Sequence, residues 1–313
     1  MSATHRPLSP AGSRRTAYIG VALTIVGSIG FSGKPIIIKL AYRYGIDVMT
    51  LLALRMLFAL PFFIAMALWA GRAPSPLTRR DWFNVLALGF ISYYVGSYLD
   101  LAGLQYISAS LGRLILYLYP TIVLILSAVW LKQPITRRHL LSLALSYGGI
   151  VLVFQNELAM VSDIGPTLLG ATLVFCSAVT YAIYLIAGAR AIGRLGAMRF
   201  TAYASIAAST FVVATFMGSH GMSQLIVPRE IYGLTLILAV FCTVLPLWLL
   251  AEGLRRIGAS NVSLVACVGP VATMALAHVF LGEAVAVAQL AGAGLVLCGV
   301  VIIGLQRVKL RQA

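Results

Sequence analysis

The segments LQYISASLGRLILYLYP (residues 104–120) and LRRIGASNVSLVACVGP (residues 254–270) align without a gap at a shift of 150 residues. They share an Ile-x-Ala-Ser sequence near the start, a leucine in the middle and a proline at the end. Apolar composition alone explains matched leucines, but it does not explain a matched proline and a matched polar sequence at one shift. The chain therefore contains an internal repeat.

The same shift of 150 residues continues toward both ends of the chain. It pairs Gly20 with Gly170, and it pairs Gly149 with Gly299. We therefore expect a first repeat at 17–155 and a second repeat at 166–306, with a short tail on either side, at 1–16 and at 307–313.

The composition excludes several classes of protein. Of the 313 residues, 61% are hydrophobic and only 10% are charged, whereas a soluble domain has about 25% charged residues. A soluble enzyme, a disordered chain and a secreted disulfide scaffold are therefore excluded. The four cysteines each lie in an apolar segment without a CxxC pair, which argues against disulfides and a zinc site; they are Cys176, Cys242, Cys267 and Cys298.

Ten apolar segments are close to the ~20 residues that a transmembrane helix needs. They are 17–41, 47–70, 82–105, 109–131, 137–155, 166–189, 197–218, 231–254, 259–281 and 286–306. Five segments fall in each repeat, and because five is odd the second repeat enters the membrane from the opposite side. We therefore predict an all-α integral membrane protein with ten transmembrane helices arranged as two inverted five-helix repeats, an arrangement typical of secondary transporters.

The net charge of +15 indicates orientation rather than a nucleic-acid partner. With both termini in the cytoplasm, most of the 23 Lys and Arg residues fall in inner loops and tails, and most of the 8 acids fall outside. This distribution follows the positive-inside rule. We expect a multi-pass protein whose partners are the lipid bilayer and a small-molecule substrate.

Several short sequences in the two repeats resemble the EamA-type transporters of the drug/metabolite transporter superfamily. The resemblance rests on Tyr119-Pro120, Leu131-Lys132-Gln133-Pro134, Gly148-Gly149, Gly269-Pro270, Leu281-Gly282-Glu283-Ala284 and Gly299. The second repeat keeps the Gly-Glu turn of that family at Gly282-Glu283, while the first repeat departs from it with Lys132-Gln133.

This resemblance implies two EamA repeats of five helices each, with substrate passing through a central cavity. Members of the family move small organic molecules, including amino acids, often outward across the bacterial inner membrane. The resemblance does not specify the substrate.

Five ionisable residues lie within the predicted spans, where each costs at least about 2.5–3.5 kcal/mol on insertion scales. Those near span ends can reach the headgroups or pair with a neighbouring arginine. Lys34, Asp100 and Glu252 are interpreted as candidate gating residues. Arg55 and Arg113 are candidate substrate-binding residues, since a guanidinium can hold a carboxylate through two hydrogen bonds.

Aromatic residues and prolines complete the candidate site. Tyr94, Tyr98, Tyr117, Tyr181 and Trp248 are candidate substrate contacts, although ordinary helix packing explains them equally well. Prolines within spans remove a helix hydrogen bond and are candidate hinges. We expect Pro35 to break the first helix locally and expect hinges at the two prolines matched by the repeat, Pro120 and Pro270.

The function expected from these features is secondary transport of small organic solutes, with export of amino acids or related metabolites by alternating access. Protons are a candidate coupling ion, and the oligomeric state stays open. No cofactor, metal or enzymatic activity is expected. A multidrug or nucleotide-sugar-like carrier is the alternative, and cationic drugs would require a free carboxylate at Asp100. A membrane sensor would instead have a plugged, apolar centre.

Overall fold

The computed structural model describes residues 10–70, 77–130, 132, 135–158, 164–266 and 268–312. Within these ranges the chain is built from helices, with no strand. The prediction of an all-helical protein is therefore confirmed for the part of the chain that the structure describes.

The helices follow the predicted spans closely. Their bounds are α1 (Pro10–Tyr42), α2 (Val48–Ala70), α3 (Arg79–Leu88), a π-helical segment (Gly89–Gly96), α4 (Ser97–Gly103), α5 (Ala109–Leu116), α6 (Tyr119–Trp130), α7 (Arg137–Leu158), α8 (Ile164–Ala187), α9 (Ala189–Leu195), α10 (Ala197–Ser219), a 3₁₀ turn (Met222–Leu225), α11 (Arg229–Ala239), a second π-helical segment (Val240–Val244), α12 (Leu245–Ala266), α13 (Val268–Leu281) and α14 (Val287–Gln312).

Eight helical stretches of the described chain are long and apolar enough to cross a membrane. The predicted spans 259–281 and 286–306 correspond to shorter apolar helices, Val268–Leu281 and Val287–Ile302. Ten transmembrane helices therefore stays a prediction, while a multi-pass helical fold is what the structure has.

Equivalent helices of the two repeats pack against each other. Helix α7 packs on α14, and α2 packs on α10. The contact of α1 with α12 has its equivalent in the contact of α8 with α4. A Cβ atom on Gly149 would meet the carbonyl oxygen of Gly292, and one on Gly299 would meet the carbonyl oxygen of Ser142. A shift of 150 residues converts one contact into the other. Small residues bring the backbones this close, as in other membrane bundles.

The two π-helical segments also lie at equivalent places in the repeats, a feature that the sequence analysis did not predict. Gly89–Gly96 carries Tyr93 and Tyr94, and Val240–Val244 ends two residues before Pro246. In the second segment the Thr243 hydroxyl donates to the Leu238 carbonyl over 2.8 Å. Such widened turns occur often at functional sites. Proline lacks the N–H group that a regular helical turn would use, so a proline accounts for the π-helical segment of the second repeat but not for that of the first.

The expected break at Pro35 is wrong. Helix α1 continues through Pro35, because neighbouring residues are tightly packed: Ile36 is 2% exposed and Ile38 is fully buried. A single missing hydrogen bond does not end a helix that packing holds in place.

The predicted span 109–131 consists of two helices rather than one. Helix α5 ends at Leu116 and α6 begins at Tyr119. Pro120 lies in the first turn of α6, and Pro270 lies within α13. Proline needs no N–H partner in a first helical turn, so Pro120 marks the start of a helix.

Helix α12 runs through the turn that the sequence analysis placed at 255–258. The chain returns along α1 after Ile257, since Ile257 lies against Gly20 whereas the Gly269 carbonyl accepts a hydrogen bond from Ser32. Gly20 and Ser32 are 12 residues, about 18 Å, apart along α1.

A left-handed residue recurs at equivalent positions of the two repeats. Gly282 has φ +72°, and Lys132, its equivalent, has φ +52°. A side chain in this conformation costs roughly 1–2 kcal/mol, whereas glycine adopts it freely. We expect Lys132→Gly to raise the free energy of unfolding in detergent by up to about 1 kcal/mol. Gly282→Ala is the reciprocal variant and should lower it; a lower melting temperature for Lys132→Gly would contradict the argument.

Asp47 caps the start of α2. Its Oδ1 accepts hydrogen bonds from the backbone N–H groups of Met49 and Thr50, each 2.9 Å long. Partial burial raises the pKa of Asp47, but the hydrogen bonds to its charged form outweigh burial and leave the pKa below its ordinary value. The carboxylate therefore stabilises the folded state above its unfolded pKa, and this stabilisation is lost as the pH falls through the lowered folded pKa.

We expect Asp47→Ala to destabilise the protein by about 1 kcal/mol at neutral pH, the usual contribution of an N-cap side chain. Asp47→Asn retains the cap without a titrating group and is the matched control. Melting temperatures measured from pH 7 down to pH 3 should show the wild type converging on the alanine variant, and parallel curves for the two would refute the assignment.

Candidate functional site

A buried ion pair joins the first and third predicted spans. The Lys34 ammonium of α1 donates to Asp100 Oδ2 of α4 over 2.6 Å. Their side chains are 17% and 8% exposed. Lys34 therefore does not extend to the headgroups, which was one interpretation of its position near a span end.

Two further bases surround this pair. Arg55 of α2 is 2% exposed and interacts electrostatically with Asp100 and Lys34. Arg113 of α5 is 9% exposed, and its guanidinium carbon lies 4.9 Å from the centre of the Tyr117 ring. The Nε atoms of Arg55 and Arg113 are buried without a hydrogen-bond partner among the described residues.

A small cavity, which we call the inner cavity, lies between Lys34, Asp100 and Arg113, and Arg55 lies outside its lining. Its volume of about 10 Å³ is close to that needed for one water molecule. It is therefore closed to any organic solute in this conformation. Its lining consists of Lys34, Pro35, Asp100, Leu104, Gly112, Arg113 and Leu116.

A larger cavity of about 350 Å³, the vestibule, lies toward the end of the bundle that holds the 42–48 and 281–286 loops. Leu104 lines both cavities and is 2% exposed, so it lies between them. The vestibule is lined by Lys39, Tyr42, Arg43, Leu104, Gln105, Leu281 and Glu283.

Two carboxylates close the same end of the bundle over the start of α5. Glu283, from the second repeat, accepts the Ala109 N–H over 2.7 Å and the Ser110 hydroxyl over 2.8 Å. Glu157 accepts both the N–H and the hydroxyl of Ser108 over 2.6 Å. A helix N-terminus favours negative charge, so the two glutamates stabilise this closure.

The sequence alone does not single out these two glutamates as candidate functional residues. The Gly282-Glu283 turn of the second repeat was the available signal, but its partner, the start of α5, lies in the other repeat. The distance along the chain hid the contact.

A row of tyrosines leads away from Arg113. Ring centres are 6.4 Å apart for Tyr117 and Tyr119, 5.0 Å for Tyr119 and Tyr181, and 5.9 Å for Tyr181 and Tyr184. The structure thus brings the predicted Tyr117 and Tyr181 together with Arg113. The Tyr117 hydroxyl also donates to the Ala266 carbonyl over 2.8 Å, and a Cβ on Gly269 would overlap it.

The other aromatic candidates lie apart from this row. Tyr94 donates to the Thr215 hydroxyl of α10 over 3.0 Å. Tyr98 and Trp248 are 41% and 40% exposed. These three side chains share no ring contact with Arg113 or Tyr117 among the described residues.

The opposite end of the bundle has its own ion pairs. Glu252 pairs with Arg256 over 2.7 Å, as one interpretation of its sequence position expected. Asp81 pairs with Arg194 and, with Thr78, forms a capping box at the start of α3. His, Cys, Asp and Glu side chains do not gather in groups of three that could hold a metal ion within the described ranges.

The chain is similar to a family of membrane transporters along most of its length. The model of the EamA-like transporter family matches it twice, at residues 18–155 and 168–305. The chain therefore belongs to the EamA-like transporter family. It is a multi-pass membrane transporter built from two tandem repeats, and its partners are the lipid bilayer and a small-molecule substrate.

Individual relatives agree with this assignment. The chain is 28% identical to "Uncharacterized transporter YcbK" of Bacillus subtilis (strain 168), over 90% of this chain and 91% of the relative. It is 29% identical to "Uncharacterized transporter YyaM" of the same organism, over 71% of this chain and 73% of the relative. A solved structure described as "Crystal structure of protein" covers 96% of this chain and 99% of its own, with a TM-score of 0.62 and 15% identity, and so supports the fold alone.

The buried charges predict unequal effects of removing either member of the ion pair. Lys34→Met leaves Asp100 with Arg55 nearby, whereas Asp100→Asn leaves three buried bases without an acid. Breaking a buried pair typically costs about 3–5 kcal/mol. We expect Asp100→Asn to lower the free energy of unfolding in detergent by this full amount, and Lys34→Met to lower it clearly less. Lys34→Met combined with Asp100→Leu controls for packing, and equal losses for the two single variants would contradict this balance.

Proposed function

We propose that this transporter is a secondary transporter that exports small organic solutes, amino acids or related metabolites among them, across the bacterial inner membrane. The observation that carries the proposal is the buried group formed by Lys34, Arg55, Asp100 and Arg113, which lies beside Gly269 of the second repeat. Polar groups in a membrane interior are costly and mark substrate pathways.

Alternating access fits the way the repeats meet. We propose ten spans in two repeats of opposite orientation, with both termini cytoplasmic. The close contacts of α7 with α14 and of α2 with α10 would hold a scaffold, against which the remaining helices rock. The proposed hinges are the break before Pro120, the matched Pro270 and the two π-helical segments.

Each end of the bundle has a candidate gate. At the vestibule end, Glu283 of the second repeat holds the start of α5 in the first. At the opposite end, Asp81 pairs with Arg194, and Glu252 pairs with Arg256. With both ends closed and an inner cavity of about 10 Å³, the conformation supports an occluded state between the two open ones.

We propose protons as the coupling ion. Asp100 is the single carboxylate on the inner cavity wall among the described residues. Its protonation would break the ion pair with Lys34 and would free α1 from α4. Substrate binding and proton binding can in this way shift the same equilibrium between two conformations.

The alternatives of the sequence analysis have less support. A carrier of cationic drugs requires a free carboxylate, whereas Asp100 is engaged by Lys34. A sensor with a plugged apolar centre is disfavoured by four buried charges at the junction of the repeats.

The test is efflux from proteoliposomes loaded with a panel of labelled amino acids and organic acids, with the proton gradient on and off. We expect at least one solute to leave faster with the gradient than without it. Asp100→Asn should abolish the effect of the gradient, while the exposed Arg229→Gln should not change it. Failure of the whole panel would refute the proposal, and drug resistance abolished by Asp100→Asn would favour the multidrug alternative.

A further inference from the structure

We infer that the transported solute is a small dianion, a metabolite with two acidic groups that are bound by Arg55 and Arg113. The inference rests on the proposed function and specifies the class of its substrate. It is carried by the charge balance of the inner cavity and the vestibule, together with the hydrogen-bonding capacity that the two arginines leave unused.

The inner cavity lies in a region with an excess of positive charge. Lys34 interacts electrostatically with Arg55 and Arg113, and the one acid in the group is Asp100. Three bases thus face one acid among the described residues. An uncompensated charge is costly in an apolar interior. A bound solute with two negative charges would neutralise the group.

The two arginines have donors to spare, while Lys34 does not. Lys34 is held by Asp100 at 2.6 Å. The Nε atoms of Arg55 and Arg113 are buried without a hydrogen-bond partner among the described residues. The Tyr117 ring covers the face of Arg113 and leaves its edge, the side through which a guanidinium holds a carboxylate or phosphate by paired hydrogen bonds.

The same geometry disfavours a zwitterionic or cationic solute. A substrate ammonium group needs an acceptor that carries negative charge, and Asp100 is already paired. An ammonium in the inner cavity would add a fourth positive charge beside three bases, and like charges at close range repel strongly in a medium of low dielectric constant.

The positive surplus continues into the vestibule. Lys39 and Arg43 line this cavity, while the Glu283 carboxylate is engaged by the N–H groups of Ala109 and Ser110. The two cavities meet at Leu104. Bases lining a cleft raise the local concentration of anions, so the vestibule and the inner cavity form one route with the same charge preference.

The test measures charge selectivity in counterflow with the reconstituted full-length protein. The labelled probes are two dianions with their less charged counterparts, namely succinate with its monoamide succinamate and glycerol 3-phosphate with glycerol. L-Aspartate and L-asparagine are the zwitterionic probes, which we expect to exchange more slowly than succinate. We expect succinate to exchange at least tenfold faster than succinamate. The phosphate pair separates a preference for carboxylates from one for any dianion.

Arginine variants test where the anion binds. Arg55→Gln and Arg113→Gln should each raise the KM for succinate at least tenfold and reduce the preference for succinate over succinamate. Arg55→Lys keeps the charge without the paired hydrogen bonds and should lose less. Arg229→Gln removes an exposed base outside both cavities and is the matched control.

The outcomes distinguish the inference from the proposed function. Exchange of succinamate as fast as succinate, of glycerol as fast as glycerol 3-phosphate, or of asparagine as fast as succinate overturns the inference and leaves transport standing. Absence of exchange for this panel and for the efflux panel above overturns both. The selectivity of the wild type decides the inference even if the arginine variants fail to fold.

Discussion

The constraint on which the structure depends is the cost of holding charge inside an apolar bundle. Lys34 and Asp100 offset part of that cost by forming a 2.6 Å pair between α1 and α4. Arg55 and Arg113 lie next to this pair and give the group an excess of positive charge. The pair therefore fixes how the first repeat packs, while the remaining bases give the same place a capacity for ligands. Under the proposed function, stability and substrate binding would depend on one set of side chains.

The two repeats share their backbone contacts but differ in their charged residues. Backbone contacts between equivalent helices are reproduced closely, as Gly149 and Gly299 illustrate. The chemistry is not reproduced, since Gly282-Glu283 in one repeat corresponds to Lys132-Gln133 in the other. Packing requires small residues at fixed places, so both repeats keep them. The proposed gates at the two ends of the bundle have different partners, which is consistent with different turn sequences in the two repeats.

Much of the fold could be predicted from the sequence because a membrane span is a local property. Length and apolar content placed α2, α7 and α8 within a few residues of their observed bounds. The predictions were poorer where neighbours decide the local structure. Helix α1 passes through Pro35 because its surroundings hold it. The span that contains Pro120 is divided into two helices. The π-helical segment Gly89–Gly96 contains no proline from which it could be predicted.

The sequence by itself determined that this protein lies in a lipid bilayer, that it has a repeated unit and that Lys34, Arg55, Asp100 and Arg113 lie within spans, because hydropathy and internal similarity can be read along the chain. Only the tertiary structure decided which charges meet. Lys34 and Asp100 are 66 residues apart, and Glu283 reaches Ala109 across 174 residues. Pairing between charges depends on distances of a few ångströms, and those distances are set by how the helices pack across the two repeats.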